Sequence, residues 1–258
     1  MKNKITHLNE EKHNNFGSLM KITEYRKNKD IDIYFPEYDW TFKNNTYSNF
    51  KNGNVICPYE PRLLNIGYMG EGIFKSKDNE GKRTKEYDLW RAMITRCYDT
   101  KHVEKYSSYK DCYVCEEWHN FQTAAQWFSL NYPYEFSNEK WCLDKDILVK
   151  GNKEYGPETC CFVPEQINLL FIKANKRRGD LPIGVSQASR YKTPHYYSYI
   201  NINGQQVHLG TFSNIEDAFY SYKIAKEEYI KETADRYAYC LSDNIINALY
   251  NWEVDIND

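Results

Sequence analysis

The chain has 258 residues, 41% of them hydrophobic and 27% charged, with a formal net charge of −2. That length and balance predict two or three domains with modest cores and exclude a chain disordered over most of its length. A charge so near zero excludes a uniformly basic nucleic-acid-binding protein, so any phosphate-binding surface has to be local. Twenty-four Tyr, twelve Phe and six Trp supply large amphipathic rings for small cores and for stacking or groove contacts. The N-terminus, MKNKITHLNEEKHNNF, lacks an apolar signal core, and no run of about eighteen apolar residues follows, which predicts a cytoplasmic protein with no membrane contact. In that compartment the eight Cys are expected as reduced thiols or metal ligands.

Residues 1–62 mix Lys, Asn, Glu and Tyr without sustained periodicity, apart from the apolar and aromatic patch IDIYFPEYDWTF, and no role follows from them. In NIGYMGEGIF, paired glycines between apolar residues predict a strand with a tight turn. EYDLWRAMITRCYD places Leu89, Trp90, Met93, Ile94 and Cys97 on one stripe of a helix. EEWHNFQTAAQWFSLNY repeats the pattern with Trp118, Phe121, Ala125 and Phe128, and His119 beside that stripe reads as a packing residue. DCYVCEEW contains the pair Cys112 and Cys115. A structural Zn2+ site needs four ligands, usually from two such pairs, and no second pair follows. Cys97, Cys142, Cys160 and Cys161 could complete it across the fold; the alternative is a set of buried thiols.

Residues 143–168 read LDKDILVKGNKEYGPETCCFVPEQIN. Gly151, Asn152, Gly156 and Pro157 mark a turn between two apolar flanks, with Asp144, Lys145 and Asp146 at one edge and Asn168 at the other. Beyond it, six basic residues (Lys173, Lys176, Arg177, Arg178, Arg190 and Lys192) face one acid, Asp180, the strongest local charge bias in the chain. Such a run is either a solvated linker or a phosphate contact.

In HYYSYININGQQVHLGTF, Tyr196, Ser198, Ile200 and Ile202 alternate with Tyr197, Tyr199 and Asn201, the period of a half-buried strand. Asn203-Gly204 supplies a hairpin turn. Val207 and Leu209 are expected to continue the apolar face, which leaves Gln206 and His208 on the open face with Tyr197, Tyr199 and Asn201. Ser213 is expected to cap the following helix in a box with Glu216. The helix buries Ile215, Ala218, Phe219, Tyr222, Ala225 and Tyr229. An open sheet face of Tyr, Asn, Gln and His can enter a DNA major groove and read base edges; the alternative is a polar face with no partner.

Residues 181–236 resemble an AP2 domain, a β-sheet DNA reader that also accompanies phage and mobile-element nucleases. The resemblance rests on Gly184-Val185, the Tyr196 to Gly204 hairpin, LGTF at 209–212 and the Glu-Asp-Ala-Phe-x-x-Tyr helix start. Family members often carry Arg or Trp where this chain has Tyr197 and Tyr199. With that neighbour, Asp144-Lys145, Gly151-Asn152, Glu158-Thr159-Cys160-Cys161-Phe162-Val163 and Asn168 resemble the HNH pattern of homing endonucleases, D-H-x-D-G-N followed by E-N-L-x-W-V-x-x-x-x-N. Trp-x-x-Met-x-x-Arg-Cys-Tyr at 90–98 and Val-Cys-Glu-Glu-Trp at 114–118 extend the likeness, over residues 65–252, to bacteriophage HNH/AP2 endonucleases.

The resemblance implies a β-hairpin followed by a helix, with Mg2+ or Mn2+ bound by Asp144 and Asn168, and hydrolysis of DNA phosphodiester bonds. Lys145 stands where the family's base His is expected, and Thr159 where its middle Asn orients that His. Three readings stay open. Lys145 stabilises the phosphorane while Asp146 or a metal-bound hydroxide replaces the base, with Asn152 a supporting residue; or the site is inactive and the protein is a DNA-binding regulator; or the loop is structural. A phage protein that inhibits a host protein through its aromatic surface is a further alternative. The expected architecture is α+β: residues 1–62 of unknown role, an HNH-like ββα-metal domain at 63–172 flanked by helices, and a basic linker at 173–180. An AP2-like three-stranded antiparallel sheet on a helix follows at 181–236, and a C-terminal helix at 237–258. Double-stranded DNA is the expected partner, contacted by the basic run together with Gln187, Tyr197, Tyr199, Asn201, Gln206 and His208.

Overall fold

Met20 and Ile22, and then Ile31, Ile33 and Phe35, recur at every second residue, which lays them on one face of a pleated sheet. In the computed structural model, which describes residues 6–136, 138–172, 180–188 and 193–258, they do so in a four-stranded antiparallel meander. Its strands are β1 (Glu11–His13), β2 (Leu19–Lys27), β3 (Asp30–Phe35) and β4 (Trp40–Asn45), in that order. Helix α1 (Tyr47–Lys51), capped by the Thr46 hydroxyl, adds Phe50 to a core of Met20, Ile22, Ile31, Ile33, Phe35, Val55 and Cys57. The region without an expected fold is therefore a formed sheet. Its pairing slips between Ile22 and Glu24, between Tyr25 and Lys27, and between Ile31 and Ile33. Each slip moves side chains to the other face and interrupts the alternation a sequence pattern needs.

This sheet belongs to one of two compact units, Met1–Leu130 with Glu154–Gly156; the other comprises Asn131–Lys153 and Pro157–Asp258. The boundary expected at 62/63 falls inside the first unit, and those at 172/173, 180/181 and 236/237 inside the second. Helix α2 (Lys85–Tyr98) is capped by Thr84 and buries Trp90, Met93 and Ile94 as its stripe demands. A short helix α3 (Thr100–Lys105) follows. The second expected helix is split: Glu116–His119 form a 3-10 turn, Asn120 is extended, and α4 runs over Phe121–Asn131. Trp90 donates its indole N–H to the Trp118 carbonyl at 2.8 Å and packs on Phe121 at 5.4 Å between ring centroids. Strand β5 (Tyr113–Val114) pairs in parallel with β7 (Glu154–Tyr155). Residues 65–74, expected as a strand, make only single bridges, Leu63 with Gly67 and Tyr68 with Asn120. Gln122 accepts the Phe74 N–H and donates to the Phe74 and Met69 carbonyls, taking the place of a partner strand.

In the second unit, β6 (Trp141–Asp144) pairs antiparallel with β8 (Cys161–Pro164), and α5 (Glu165–Leu169) follows directly. Next come β9 (Val185–Gln187), β10 (Tyr196–Ile202) and β11 (Gln205–Phe212), in the order β11-β10-β9 with antiparallel pairing. They are followed by α6 (Ile215–Tyr237) and α7 (Asp243–Tyr250). Asn203 and Gly204 take φ of 50° and 80°, as the hairpin turn requires. The cap of α6 is Asn214 rather than Ser213. Its side-chain oxygen accepts from Asp217 N at 2.7 Å and its amide donates to the Asp217 carboxylate at 2.8 Å, so the cap sits one residue later than expected and is closed side chain to side chain. The buried stripe of α6 contains Ala218, Phe219, Tyr222 and Tyr229 as expected, and continues through Ile230, Thr233 and Ala234. Among the described residues, no helix is long and apolar enough to cross a membrane.

Candidate nucleic-acid interface and candidate metal loop

The period of two in β10 assigns its two faces. Ile200 joins Val185, Ala218, Phe219, Tyr222 and Tyr229 in a core between sheet and helix, with Tyr196 and Ile202 packed at its edge. Tyr197, Tyr199 and Asn201 therefore point the other way, opposite Thr211, His208 and Gln206 of β11. The three rings gather: Tyr199 and His208 lie 5.0 Å apart between centroids, Tyr197 and His208 5.6 Å, and Tyr197 and Tyr199 5.8 Å. A bulge after Ser198 makes this possible, because Leu209 is skipped in the pairing and His208 comes opposite Tyr199. The three strands contain no Lys, Arg, Asp or Glu, so the face presents rings and amides without a fixed charge.

Two expectations for this sheet change. Val207 pairs with Ile200 but is 40% exposed, since β11 is an edge strand and α6 does not cover it there; Leu209 does pack on the core. Gln187 pairs with Tyr196 and so shares the register of the helix-covered face, whereas Ser186, opposite Tyr197, holds the open-face position. The expected phosphate contacts Lys173, Lys176, Arg177, Arg178, Arg190 and Lys192 are outside the described residues.

The second group surrounds the end of β6. Asp144 accepts the backbone N–H groups of Asp146 at 2.7 Å and Ile147 at 2.9 Å on one carboxylate oxygen, which turns the chain sharply out of the strand. Burial pushes this carboxyl above its ordinary range, against the pull of those two N–H groups. Its second oxygen, Oδ2, has no hydrogen bond among the described residues. Lys145 is only 4% exposed. Its Nζ donates to both carboxylate oxygens of Asp146 at 2.8 and 2.9 Å and to the Asn152 carbonyl at 2.6 Å. Asn152 answers by donating its amide to the Lys145 carbonyl at 2.8 Å. The pair clamps the loop across seven residues, and the ammonium proposed to meet phosphate is turned into the loop.

Removing that cation leaves a part-buried carbonyl without this donor, a loss of about 1–3 kcal/mol. Lys145→Met is accordingly expected to lower the unfolding free energy from urea titration by that much; an unchanged value would show that the clamp contributes nothing.

Asn168 lies in α5, half-buried, on the helix that follows β8. The hairpin register runs from Asp144↔Cys161 to Trp141↔Pro164, and Glu165 N donates to the Lys140 carbonyl at 2.8 Å, so α5 begins at the end of the hairpin remote from Asp144 and packs against both strands. The order strand, loop, strand, helix is the one expected. No hydrogen bond joins Asp144 to Asn168 among the described residues.

Cys142 and Cys161 lie on the β6–β8 hairpin itself, Cys161 opposite Asp144, whereas Cys97, Cys112 and Cys115 belong to the first unit. Cys112 is buried and its Sγ reaches the Ser108 carbonyl at 3.8 Å; burial pushes the Cys115 thiol up. Cys97 is half-buried, and none of the eight Cys forms a disulfide. Among the described residues no three His, Cys, Asp or Glu side chains form a metal-binding group; the Asp144 and Asn168 pair is a different donor set. Comparison with family models, with curated proteins and with solved structures finds no match.

Proposed function

We propose that this protein binds double-stranded DNA through the open face of the β9–β11 sheet, as a protein of the phage HNH/AP2 endonuclease type. The observation that carries the reading is the ring cluster of Tyr197, Tyr199 and His208, flanked by Asn201 and Gln206 on a sheet whose other face is covered. A sheet of this width fits the major groove, where amides pair with base edges and rings contact thymine methyls. Phosphate contacts fall to the basic run at 173–192. One good base contact is worth about 1–3 kcal/mol, roughly five- to 150-fold. Tyr199→Ala and His208→Ala should each weaken duplex binding by that factor in fluorescence anisotropy, while Tyr220→Ala, exposed on α6, should not. Duplex that stays unbound at low salt would instead favour a protein that engages a host protein.

A second reading, metal-dependent hydrolysis of the bound DNA, is favoured by the unoccupied hydrogen-bonding capacity of Asp144 Oδ2. That oxygen and the Asn168 amide oxygen would hold Mg2+ or Mn2+, hard cations suited to oxygen donors. The ion would supply charge stabilisation at the phosphate and a lowered pKa for its water. Asp146, 40% exposed, is the carboxylate left to accept a proton, and Lys145 and Asn152 act as positioning residues for it. Nicking of supercoiled DNA with Mn2+ tests this reading; binding without nicking identifies a DNA-binding regulator.

A further inference from the structure

The first unit exposes an element the sheet reading does not use. Ile73 is 85% exposed, the most exposed large apolar side chain described. A single exposed Ile needs no explanation on its own, but this one is held rigidly. The adjacent Phe74 is gripped on both backbone groups by Gln122, at 2.9 Å each. Gly70 N donates to the Pro58 carbonyl at 2.9 Å, and the Thr84 hydroxyl donates to the Lys75 carbonyl at 2.7 Å. Gly70 and Gly72 permit the close approach, since a Cβ on either would stand 2.1 and 2.3 Å from the Asn120 and Gln122 side-chain oxygens. Exposure then alternates: Ile73, Lys75 and Lys77 face solvent, while Phe74 and Ser76 are half-buried.

The charges around this tip are sorted. Glu80 pairs with Lys82 and Asp88 with Arg83, each at 2.8 Å. Asp78 is occupied by the N–H groups of Glu80 and Lys82 at 2.9 Å, and Glu71 accepts from the Tyr59 hydroxyl at 3.1 Å. Lys75 and Lys77 have no ion pair among the described residues. Two cations two residues apart, neither held in an ion pair among the described residues, beside an exposed apolar tip, complement a polyanion whose interior is apolar. Duplex DNA has that chemistry, with phosphates outside and stacked bases that an Ile can wedge apart.

We infer that residues 69–85 form a second duplex-contacting element, with Ile73 inserted between base steps and Lys75 and Lys77 on the flanking phosphates. The inference rests on the proposed DNA binding but on different residues. The test uses the full chain, a fluorescent duplex titrated over a salt series, and a duplex carrying a fluorescent base analogue that brightens on unstacking. The Lys75→Ala, Lys77→Ala double variant should make the slope of log K against log salt shallower by about 1.8, at about 0.9 per phosphate contact. Ile73→Ser should keep the slope and lose the brightening seen with the parent. All three side chains are exposed and leave the Gln122 clamp intact.

Unchanged slope and brightening in these variants, with Tyr199→Ala still weakened, would overturn the inference and leave the sheet reading standing. A parent that binds no duplex would end both. Loss of binding to phosphatidylserine vesicles in the loop variants, with duplex binding unchanged, would overturn it in favour of a membrane surface.

Discussion

Gly184→Ala should destabilise the second unit by about 2–5 kcal/mol and remove duplex binding with it. Two costs add at this position. Gly184 has φ of +79°, in the left-handed region, where an L side chain costs about 1–2 kcal/mol. A Cβ there would also stand 2.1 Å from the Tyr222 ring, so the ring of α6 must shift within a filled core, an overpacking cost of about 1–3 kcal/mol. The position matters for the proposed interface because the Gly184 carbonyl accepts the Tyr199 N–H at 2.8 Å. Displacing this backbone displaces β10 at the residue that anchors the ring cluster. The urea unfolding midpoint and duplex anisotropy should fall together. A variant as stable as the parent would mean that Tyr222 does not lie against this backbone, and the packing that sets the open face would need to be redrawn.

The same residues show why some of the architecture was legible and some was not. Helix α2 and strand β10 each bury one face against a neighbour, so the periods of 3.6 and 2 survive in the sequence at Trp90, Met93 and Ile94, and at Ser198 and Ile200. The N-terminal meander carries a comparable alternation, but three register slips within β2–β4 scatter it, and the core is completed by Phe50, Val55 and Cys57 from outside the strands. Periodicity cannot see that closure. The glycine loop at 69–74 failed differently: its backbone partner is the Gln122 side chain, some fifty residues away, and paired glycines signal a turn equally well with or without a strand. At the candidate site, alternation gave the open face of β10 but not the bulge at Leu209. The Lys145 and Asn152 clamp had a faint signal, a buried-loop cation followed seven residues later by an amide. Motif spacing alone could not tell an ammonium turned inward from one turned toward phosphate.

Asp144→Asn is the variant that tests the loop most severely, because it separates a folding role from a metal-binding one. In metal-free buffer with a chelator, the parent carboxyl holds its proton above the ordinary 3.8, chiefly because it is desolvated. A folded state that binds the proton more tightly than the unfolded chain gains most from this group below pH 3.8 and loses that gain as pH rises through the folded value. The variant keeps an oxygen to accept the Asp146 and Ile147 N–H groups but has no charge to bury. Its stability should therefore be flatter than the parent's from acid toward neutral pH, and at neutral pH at least equal to it, by urea unfolding over a pH series. Under the proposed metal reading the order should reverse with Mn2+: the parent's buried carboxylate would gain a counter-ion and its melting temperature should rise, whereas the neutral amide should gain little. Losing that ion's stabilisation at the phosphate, about 3 kcal/mol, would cut nicking roughly a hundredfold. A parent whose melting temperature ignores Mn2+ and which leaves supercoiled DNA intact would make Asp144 a turn-forming residue and Asn168 an ordinary helix amide, and would leave the open sheet face as the proposed DNA contact.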